Sequence, residues 1–250
     1  MKSFDINSLL LCFPKKRPPL SKAHSVIYSE EYLKNRNAET GLNKIVGLLE
    51  SWMHQWIAYS GGGFPMLEIG AGTLNHLRFE EQTGAYDIIE PFTSLYENKT
   101  FERRQIRNVF ADILEIPDSL HYQRIISIAV LEHLTDLPMV LARAILLMEP
   151  NGAFFAGVPS EGSFAWGTAW RCTTALSFKI RRGISYKEIM HHEHINSIYE
   201  IEALLGYFFQ DVKYVRFPFR WLHGSFYTCF KASKPYMARA TSFIASREGL

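Results

Sequence analysis

The sequence predicts an α/β fold in which a doubly wound, mostly parallel sheet of seven strands is covered by helices on both faces. Two observations lead to this prediction. Short apolar strands alternate with helical patterns through the middle of the chain, and the first strand runs directly into the glycine turn Gly70-Ala71-Gly72. Parallel strands need crossover connections, and these crossovers place helices on both faces of a sheet.

The predicted elements follow one another at regular intervals. Residues 66–70 are apolar except for Glu68 and end on glycine, as expected of a buried parallel strand that leads into a turn. Pro138 favours a helix start, because its missing N–H is not needed in the first helical turn. The predicted strands are 66–70, 86–90, 106–110, 124–130, 153–158, 212–217 and 225–230, and the predicted helices are 74–82, 138–148 and 197–206.

The chain divides into three predicted parts. Residues 1–60 form a tail and one or two helices that pack on the core, since apolar residues recur at helical spacing over 29–59. Residues 61–232 form the sheet domain, with a long aromatic and basic insert at about 160–196 after the fifth strand. Residues 233–250 are weakly patterned and form either a terminal helix or a tail.

The composition excludes several classes of protein. A chain of 250 residues with 47% hydrophobic residues can bury the core of one large domain. A formal charge of +2, without a clustered basic face, argues against a nucleic-acid partner. Three widely separated cysteines argue against a disulfide framework and suit a cytoplasmic protein. The apolar run Leu9–Phe13 is too short to span a membrane, so no stable insertion is expected.

The glycine turn and a following acid indicate a nucleotide site. Ligands of open parallel sheets bind beyond the carboxyl ends of the strands, where Gly70 and Gly72 let the backbone approach a ligand closely. Glu90 ends the second strand 18 positions after Gly72, where a carboxylate can accept hydrogen bonds from a ribose diol. A tight turn without a ligand is the alternative interpretation of the two glycines.

The identity of the nucleotide depends on the rest of the turn. The dinucleotide pattern GxGxxG fails at Asn75, which makes NAD the weaker alternative. The segment from Glu68 to Gly72 resembles motif I of the class I S-adenosylmethionine-dependent methyltransferases, which have a Rossmann-like fold. Leu74 departs from that motif, because it occupies the position of the third glycine.

Further matches follow in the order of that family, over about a third of the chain. Asp112 lies where these enzymes hold the adenine, although a loop or capping aspartate is the alternative, and Leu131-Glu132-His133 resembles the turn after their fourth strand. The resemblance implies S-adenosylmethionine as the cofactor. The residues that it implies for cofactor binding are Glu68, Gly70, Ala71, Gly72, Glu90, Pro91, Asp112, Ile113, Ala129 and Val130.

Two histidines are candidates for a general base. Methyl transfer to a hydroxyl benefits from a base with a pKa near neutrality, for which histidine is suited. His133 follows the fourth strand, where similar enzymes place a functional histidine, and His194 precedes a predicted helix. A capping or solvated role is the alternative for each. The spacing of His191, His192 and His194 does not match a metal-binding helix, so no metal is expected.

The insert is the predicted acceptor pocket or a lid over it. Aromatic faces stack on rings and arginine binds phosphate or carboxylate, which makes Trp166, Trp170, Arg171 and His191 the candidate acceptor contacts. The run from Val158 to Asn196 resembles methyltransferases of surface-polysaccharide and natural-product pathways. This likeness implies O-methylation of a small hydroxylated molecule such as a sugar. A non-catalytic binding or scaffold protein and a dinucleotide-dependent oxidoreductase are the alternatives, and the sequence predicts no oligomeric state.

Overall fold

The described part of the chain forms a seven-stranded sheet with helices on both faces. The structure is a computed structural model that describes residues 5–22, 24, 25, 27, 41–81, 84–161, 163, 164, 167 and 185–248. Its strands are β1 (Met66–Ile69), β2 (Tyr86–Ile89), β3 (Asn108–Phe110), β4 (Tyr122–Ile128), β5 (Met148–Pro159), β6 (Phe209–Pro218) and β7 (Ser225–Pro235).

The order of the strands across the sheet is β3-β2-β1-β4-β5-β7-β6. Strands β1 to β5 all run parallel to one another, and β7 runs antiparallel to both β5 and β6. The order reverses between β1 and β4, and such a reversal opens a crevice at the carboxyl ends of the two strands. The predicted fold class, a doubly wound and mostly parallel sheet of seven strands, is confirmed.

The helices begin where local side chains satisfy their free N–H groups. Asp136 accepts a hydrogen bond from the N–H of Met139 at the start of the fourth helix, and Ser197 and Glu200 form a reciprocal capping box at the sixth. The α-helices with described bounds are α1 (Ile6–Leu11), α2 (Gly41–Tyr59), α3 (Thr100–Arg103), α4 (Leu137–Leu146), α5 (Lys187–Glu193), α6 (Ile198–Phe208) and α7 (Met237–Glu248).

Successive residues of the central strands supply two separate cores, because side chains alternate between the faces of a sheet. Ile125 and Phe154 pack on the face that α1, α4, α6 and α7 cover. Ile126 and Phe155 pack on the opposite face, against Met53 and other residues of α2. None of the described helices is long and apolar enough to cross a membrane.

One predicted helix is wrong. Residues 74–82 were expected to form a helix, but the described part of this stretch contains turns and a short 3-10 helix, Leu77–Phe79. Leu74 has a φ of 60°, in the left-handed region, which interrupts a right-handed helix at its start. The C-terminal segment forms α7, which packs Ala240 and Phe243 into the core, so the terminal helix is the alternative that the structure contains.

A buried carboxylate ties three strands together on the side of the sheet away from the carboxyl ends. Asp87 of β2 accepts hydrogen bonds from Arg107 at 2.9 Å, from the Asn108 backbone N–H at 3.0 Å and from the Tyr122 hydroxyl at 2.8 Å. Burial alone would raise the pKa of Asp87, but these donors outweigh burial and lower it.

Removing this carboxylate should weaken the whole sheet. We expect Asp87→Ala to lower the free energy of unfolding by roughly 3 kcal/mol, because it leaves the Tyr122 hydroxyl and the Arg107 guanidinium without their acceptor. Urea denaturation near neutral pH measures the difference. Because the pKa of Asp87 is lowered in the fold, this contribution is present above its ordinary pKa of 3.8 and disappears in more acidic solution. An unchanged midpoint at neutral pH would contradict the expectation.

Candidate functional site

The carboxyl ends of β1 to β4 open onto a cavity of about 1070 Å³. The ladder of backbone hydrogen bonds continues one residue beyond the strands, from the Gly70 N–H to the Ile89 carbonyl at 2.8 Å and from the Glu90 N–H to the Phe110 carbonyl at 2.9 Å. The loops that leave neighbouring strands therefore begin at the same level. This arrangement brings residues that are far apart in the chain around one space.

Every residue predicted to bind the cofactor lines this cavity, and so does His133. Among the described residues, His191 and His194 do not line it. Trp166, Trp170 and Arg171 lie outside the described residues. The structure thus brings the candidate cofactor residues together, and their roles stay predictions.

The glycine loop packs closely against Val130, after β4, at Gly70, whereas the space around Gly72 is open. Gly70 has a φ of 75°, and a Cβ at this position would lie 2.4 Å from a methyl carbon of Val130, so glycine is required. Gly72 has a φ of 53°, but a Cβ there would meet nothing within 4 Å. The backbone at Gly72 is therefore accessible from the cavity.

Glu90 fastens this loop to the end of β2. One carboxylate oxygen accepts a hydrogen bond from the Gly72 N–H at 2.7 Å, and the other accepts one from the Phe92 N–H at 3.0 Å. The Glu90 residue is only 5% exposed, yet it lines the cavity. Each oxygen keeps a free lone pair, because a carboxylate offers about four acceptor sites.

Two other candidate acids have structural partners of their own. The hydroxyl of Tyr86 donates to Glu68 at 2.6 Å, and burial raises the pKa of this carboxyl. Asp112 accepts a hydrogen bond from the Leu114 N–H at 2.8 Å and so begins the 3-10 helix Ile113–Glu115. The capping role considered for Asp112 is therefore present, and the residue lines the cavity as well.

His133 lines the cavity, and one of its ring nitrogens is held by the backbone. Its Nδ1 lies 2.9 Å from the backbone carbonyl of Glu193, which can only accept a hydrogen bond. A neutral ring therefore carries its proton on Nδ1 and leaves Nε2 as an acceptor. Burial lowers the pKa of His133, although the charge of Glu132 raises it in part. The ring is suited to take up a proton at Nε2.

His194 packs against the His133 ring and does not itself line the cavity. The two rings meet edge to face with centroids 4.6 Å apart, and His194 Nδ1 is hydrogen-bonded to Glu161. Burial lowers the pKa of His194 to about 4 and raises that of Glu161 to about 8. Burial thus favours a neutral His194 ring and a protonated Glu161 carboxyl near neutral pH. Among the described residues, no three His, Cys, Asp or Glu side chains are arranged to hold a metal ion.

Two more carboxyl groups lie near this end of the cavity. Glu132 is 2% exposed, and its Oε2 has no hydrogen-bond partner among the described residues. The pKa of Glu132 is raised to about 7, mainly by burial; the charge of His133 opposes this shift, and the charges of Glu161 and Glu50 add to it. Glu50 of α2 lines the cavity and is exposed to solvent.

The sequence analysis missed the contribution of the N-terminal residues to the cavity wall. Arg17 lines the cavity, donating to the His133 carbonyl at 3.0 Å and to a Glu193 carboxylate oxygen at 3.4 Å. No local pattern indicates such a contact, because the partners are more than a hundred residues away. Glu50 and His54 also line the cavity. Their four-residue spacing on a predicted helix is the signal that could have indicated a shared face.

Solved structures share this architecture at low sequence identity. An S-adenosylmethionine-dependent methyltransferase from Archaeoglobus fulgidus matches with a TM-score of 0.55 and 17% identity, over 75% of this chain and 94% of that one. The plantazolicin methyltransferase BpumL, in complex with a monoazolic desmethylPZN analogue and SAH, matches with a TM-score of 0.54 and 12% identity, over 92% of this chain and 97% of that one. The N-methyltransferase NodS from Bradyrhizobium japonicum WM9, with S-adenosyl-L-homocysteine, has a TM-score of 0.51 and 14% identity, over 80% and 91%.

These likenesses establish the fold. The chain has the Rossmann-like fold of the class I methyltransferases, as the resemblance in its motifs implied. No protein-family model matches the sequence, and no curated protein matches it significantly.

The buried Glu132 carboxyl should make the fold less stable in alkaline solution. Because the pKa of Glu132 rises from 4.5 to about 7 on folding, the folded state binds this proton more tightly than the unfolded chain. The free energy of unfolding then falls as the pH rises between these values, by up to about 3 kcal/mol from this group. We expect Glu132→Gln to be more stable than the wild type at about pH 8.5 and similar to it at about pH 4.5.

Urea denaturation across this pH range tests the expectation, with Glu149→Gln as the matched control. Glu149 lies at the amino end of β5, at the opposite edge of the sheet from the cavity. A difference between wild type and Glu132→Gln that does not change with pH would show that Glu132 titrates normally.

Proposed function

We propose that this chain binds S-adenosylmethionine in the cavity and transfers its methyl group to a small-molecule acceptor. The observation that carries the proposal is the position of Glu90, a buried carboxylate at the carboxyl end of β2 that lies beside the accessible backbone of Gly72. The methyltransferase fold supports it, and so do structural neighbours that were solved in complex with S-adenosylhomocysteine.

The described residues fit the parts of such a cofactor. The free lone pairs of Glu90 would accept hydrogen bonds from the ribose diol. Asp112 and Ile113 would hold the adenine, while Gly70, Ala71 and Gly72 would pass under the rest of the molecule. Ala129 and Val130 line the same cavity from the end of β4. The cavity exceeds the roughly 300–1,000 Å³ that usually encloses one ligand, which leaves room for an acceptor.

The shape of the glycine loop disfavours a dinucleotide. Dinucleotide sites place the pyrophosphate at the N-terminus of a helix that directly follows the glycine turn. In the described stretch 70–81 that position holds turns and the 3-10 helix Leu77–Phe79. S-adenosylmethionine has no phosphate groups, so it does not need the missing helix dipole.

The cofactor would supply a methyl group bound to a positively charged sulfur. A nucleophile on the acceptor attacks the methyl carbon directly and displaces the sulfur. The protein therefore has to align the acceptor, exclude water and receive a proton. His133 is the proposed base, since it lines the cavity and its Nε2 is available as an acceptor. His194 is proposed to position the His133 ring through their edge-to-face contact.

For the methyl acceptor we propose a chemical class, whereas for the cofactor we propose one compound. The sequence resemblance favours a hydroxyl group of a sugar or a similar small molecule. The neighbours include the N-methyltransferase NodS, so their chemistry does not single out oxygen as the nucleophile.

Cofactor binding can be tested without knowing the acceptor. We expect S-adenosylhomocysteine to bind the purified chain with micromolar affinity in calorimetric titration, and Glu90→Ala to weaken binding at least about tenfold. The reason is the loss of the carboxylate that both accepts the ribose hydroxyls and holds Gly72. Glu149→Gln should bind like the wild type. Tighter binding of NADH than of S-adenosylhomocysteine would refute the proposal.

The proposed base can be tested by titration of its imidazole. We expect the pKa of His133 to lie below 6.5 and to fall further in Glu132→Gln, because the charge of Glu132 raises it. The imidazole carbon-bound protons followed by NMR against pH measure both values. A His133 pKa above neutrality would make the ring an imidazolium and remove it as the base.

A further inference from the structure

A chain of hydrogen-bonded side chains runs from the interior of the protein to the cavity wall. Nδ1 of His54, on α2, lies 3.1 Å from Nδ1 of His76, in the loop after the glycine turn. Nε2 of His76 lies 2.6 Å from one oxygen of Glu80, and the other oxygen accepts a hydrogen bond from Arg124 at 2.9 Å. His76 and Arg124 are buried, whereas His54 lines the cavity. The chain therefore ends in an imidazole at the cavity.

The partners in this chain determine where its protons lie. Burial alone would raise the pKa of Glu80, but the hydrogen bonds from His76 and Arg124 outweigh burial and lower it. The ionised carboxylate can only accept, so Nε2 of His76 carries a proton. Arg124 balances the charge of Glu80, and a neutral His76 ring then completes its contacts with Nδ1 as an acceptor. The proton between the two imidazoles therefore belongs to Nδ1 of His54.

This assignment leaves Nε2 of His54 as a hydrogen-bond acceptor. Among the described residues Nε2 has no hydrogen-bond partner, and the ring lies nearly parallel to that of Phe79 with centroids 5.3 Å apart. Burial lowers the pKa of His54 to about 3, so the ring is uncharged near neutral pH. The imidazole is thus held in place on one side, and its free acceptor is suited to a ligand group that donates a proton in a hydrogen bond. A charged donor forms the stronger bond.

The position of His54 along the sheet indicates which part of the cofactor it can reach. In the proposed site the adenine lies at Asp112, beyond β3, and the ribose at Glu90, beyond β2. The next strand in the sheet is β1, and the loop that leaves β1 contains Gly72 and His76. In S-adenosylmethionine the sulfur and the amino-acid group follow the ribose. The amino-acid group would therefore lie beside the loop to which His54 is hydrogen-bonded.

We propose that Nε2 of His54 accepts a hydrogen bond from the ammonium group of the cofactor's amino acid, and that His76 and Glu80 are positioning residues for its ring. The proposal rests on the proposed function and adds one residue to the cofactor site. The amino acid carries an ammonium, which donates, and a carboxylate, which can only accept. The unprotonated nitrogen of His54 therefore selects the ammonium.

The test uses three ligands that share the thioadenosine part of the cofactor. They are S-adenosylhomocysteine, its decarboxylated amine and methylthioadenosine, which has no amino-acid group. Calorimetry of the full chain near neutral pH measures the affinity of each. His54→Asn can keep a polar group near the position of Nδ1 but has no atom at that of Nε2. It should weaken binding of the two amines at least about fivefold and change binding of methylthioadenosine less than about twofold.

Two further variants serve as controls for His54→Asn. His54→Gln places an amide oxygen within reach of the position of Nε2, so it should restore much of the affinity for both amines. His121→Asn should bind all three ligands like the wild type. His121 is exposed and precedes β4, at the edge of the sheet opposite the cavity.

The nitrogen shifts of the His54 ring, measured by NMR on the wild type, give a second readout that needs no variant. In the free chain Nδ1 should be protonated and Nε2 should not, and S-adenosylhomocysteine should shift the Nε2 signal. A proton on Nε2, or an Nε2 signal that the ligand leaves unchanged, would overturn the proposal.

The calorimetry can overturn the proposal independently. In folded His54→Asn, unchanged affinity for both amines, an equal loss for all three ligands, or a loss confined to S-adenosylhomocysteine would each contradict it. The last result would indicate contact with the carboxylate. Failure of the wild-type chain to bind S-adenosylhomocysteine would instead refute the proposed cofactor.

Discussion

The hydrogen bonds of the Glu90 carboxylate determine the geometry of the cavity. By accepting from the Gly72 and Phe92 N–H groups, this side chain joins the loop after β1 to the loop after β2. The loop can approach β4 only because Gly70 has no Cβ to meet Val130. Leu74 then turns into the core, where it is 2% exposed despite its left-handed backbone. Burial of its side chain offsets that conformational cost, of order 1–2 kcal/mol.

The sequence predicts those features of the molecule whose determining residues are close together in the chain. The strand before Gly70, the turn itself and Glu90 follow from adjacent residues, and the structure places all of them as expected. The helix at 74–82 was wrong because a single residue, Leu74, adopts a conformation that its side chain normally disfavours. Burial of the Leu74 side chain in the folded protein favours this backbone conformation, and no nearby residue pattern predicts it.

The acceptor end could not be predicted in the same way, because distant segments build it. Lys15 donates to Glu200 at 2.6 Å and to the Ile195 carbonyl at 2.8 Å, and Arg17 reaches the His133 carbonyl. The N-terminal segment is therefore part of the site. The sequence motifs had indicated a site built by the sheet domain alone. The Leu131-Glu132-His133 turn was recognised for its histidine, whereas the burial that gives Glu132 its importance becomes visible only in the folded chain.

The two ends of the cavity are suited to different kinds of ligand. Around Gly72 and Glu90 the carboxylate is already hydrogen-bonded, so this end can hold a hydroxylated nucleotide without a further counter-ion. Around His133, burial moves two pKa values towards each other, lowering that of the imidazole and raising that of Glu132 to about 7. Burial therefore favours the uncharged form of both groups. A neutral imidazole whose Nδ1 donates to the Glu193 carbonyl keeps Nε2 as an acceptor, so this end of the cavity can receive the proton that a protonated nucleophile loses during methyl transfer.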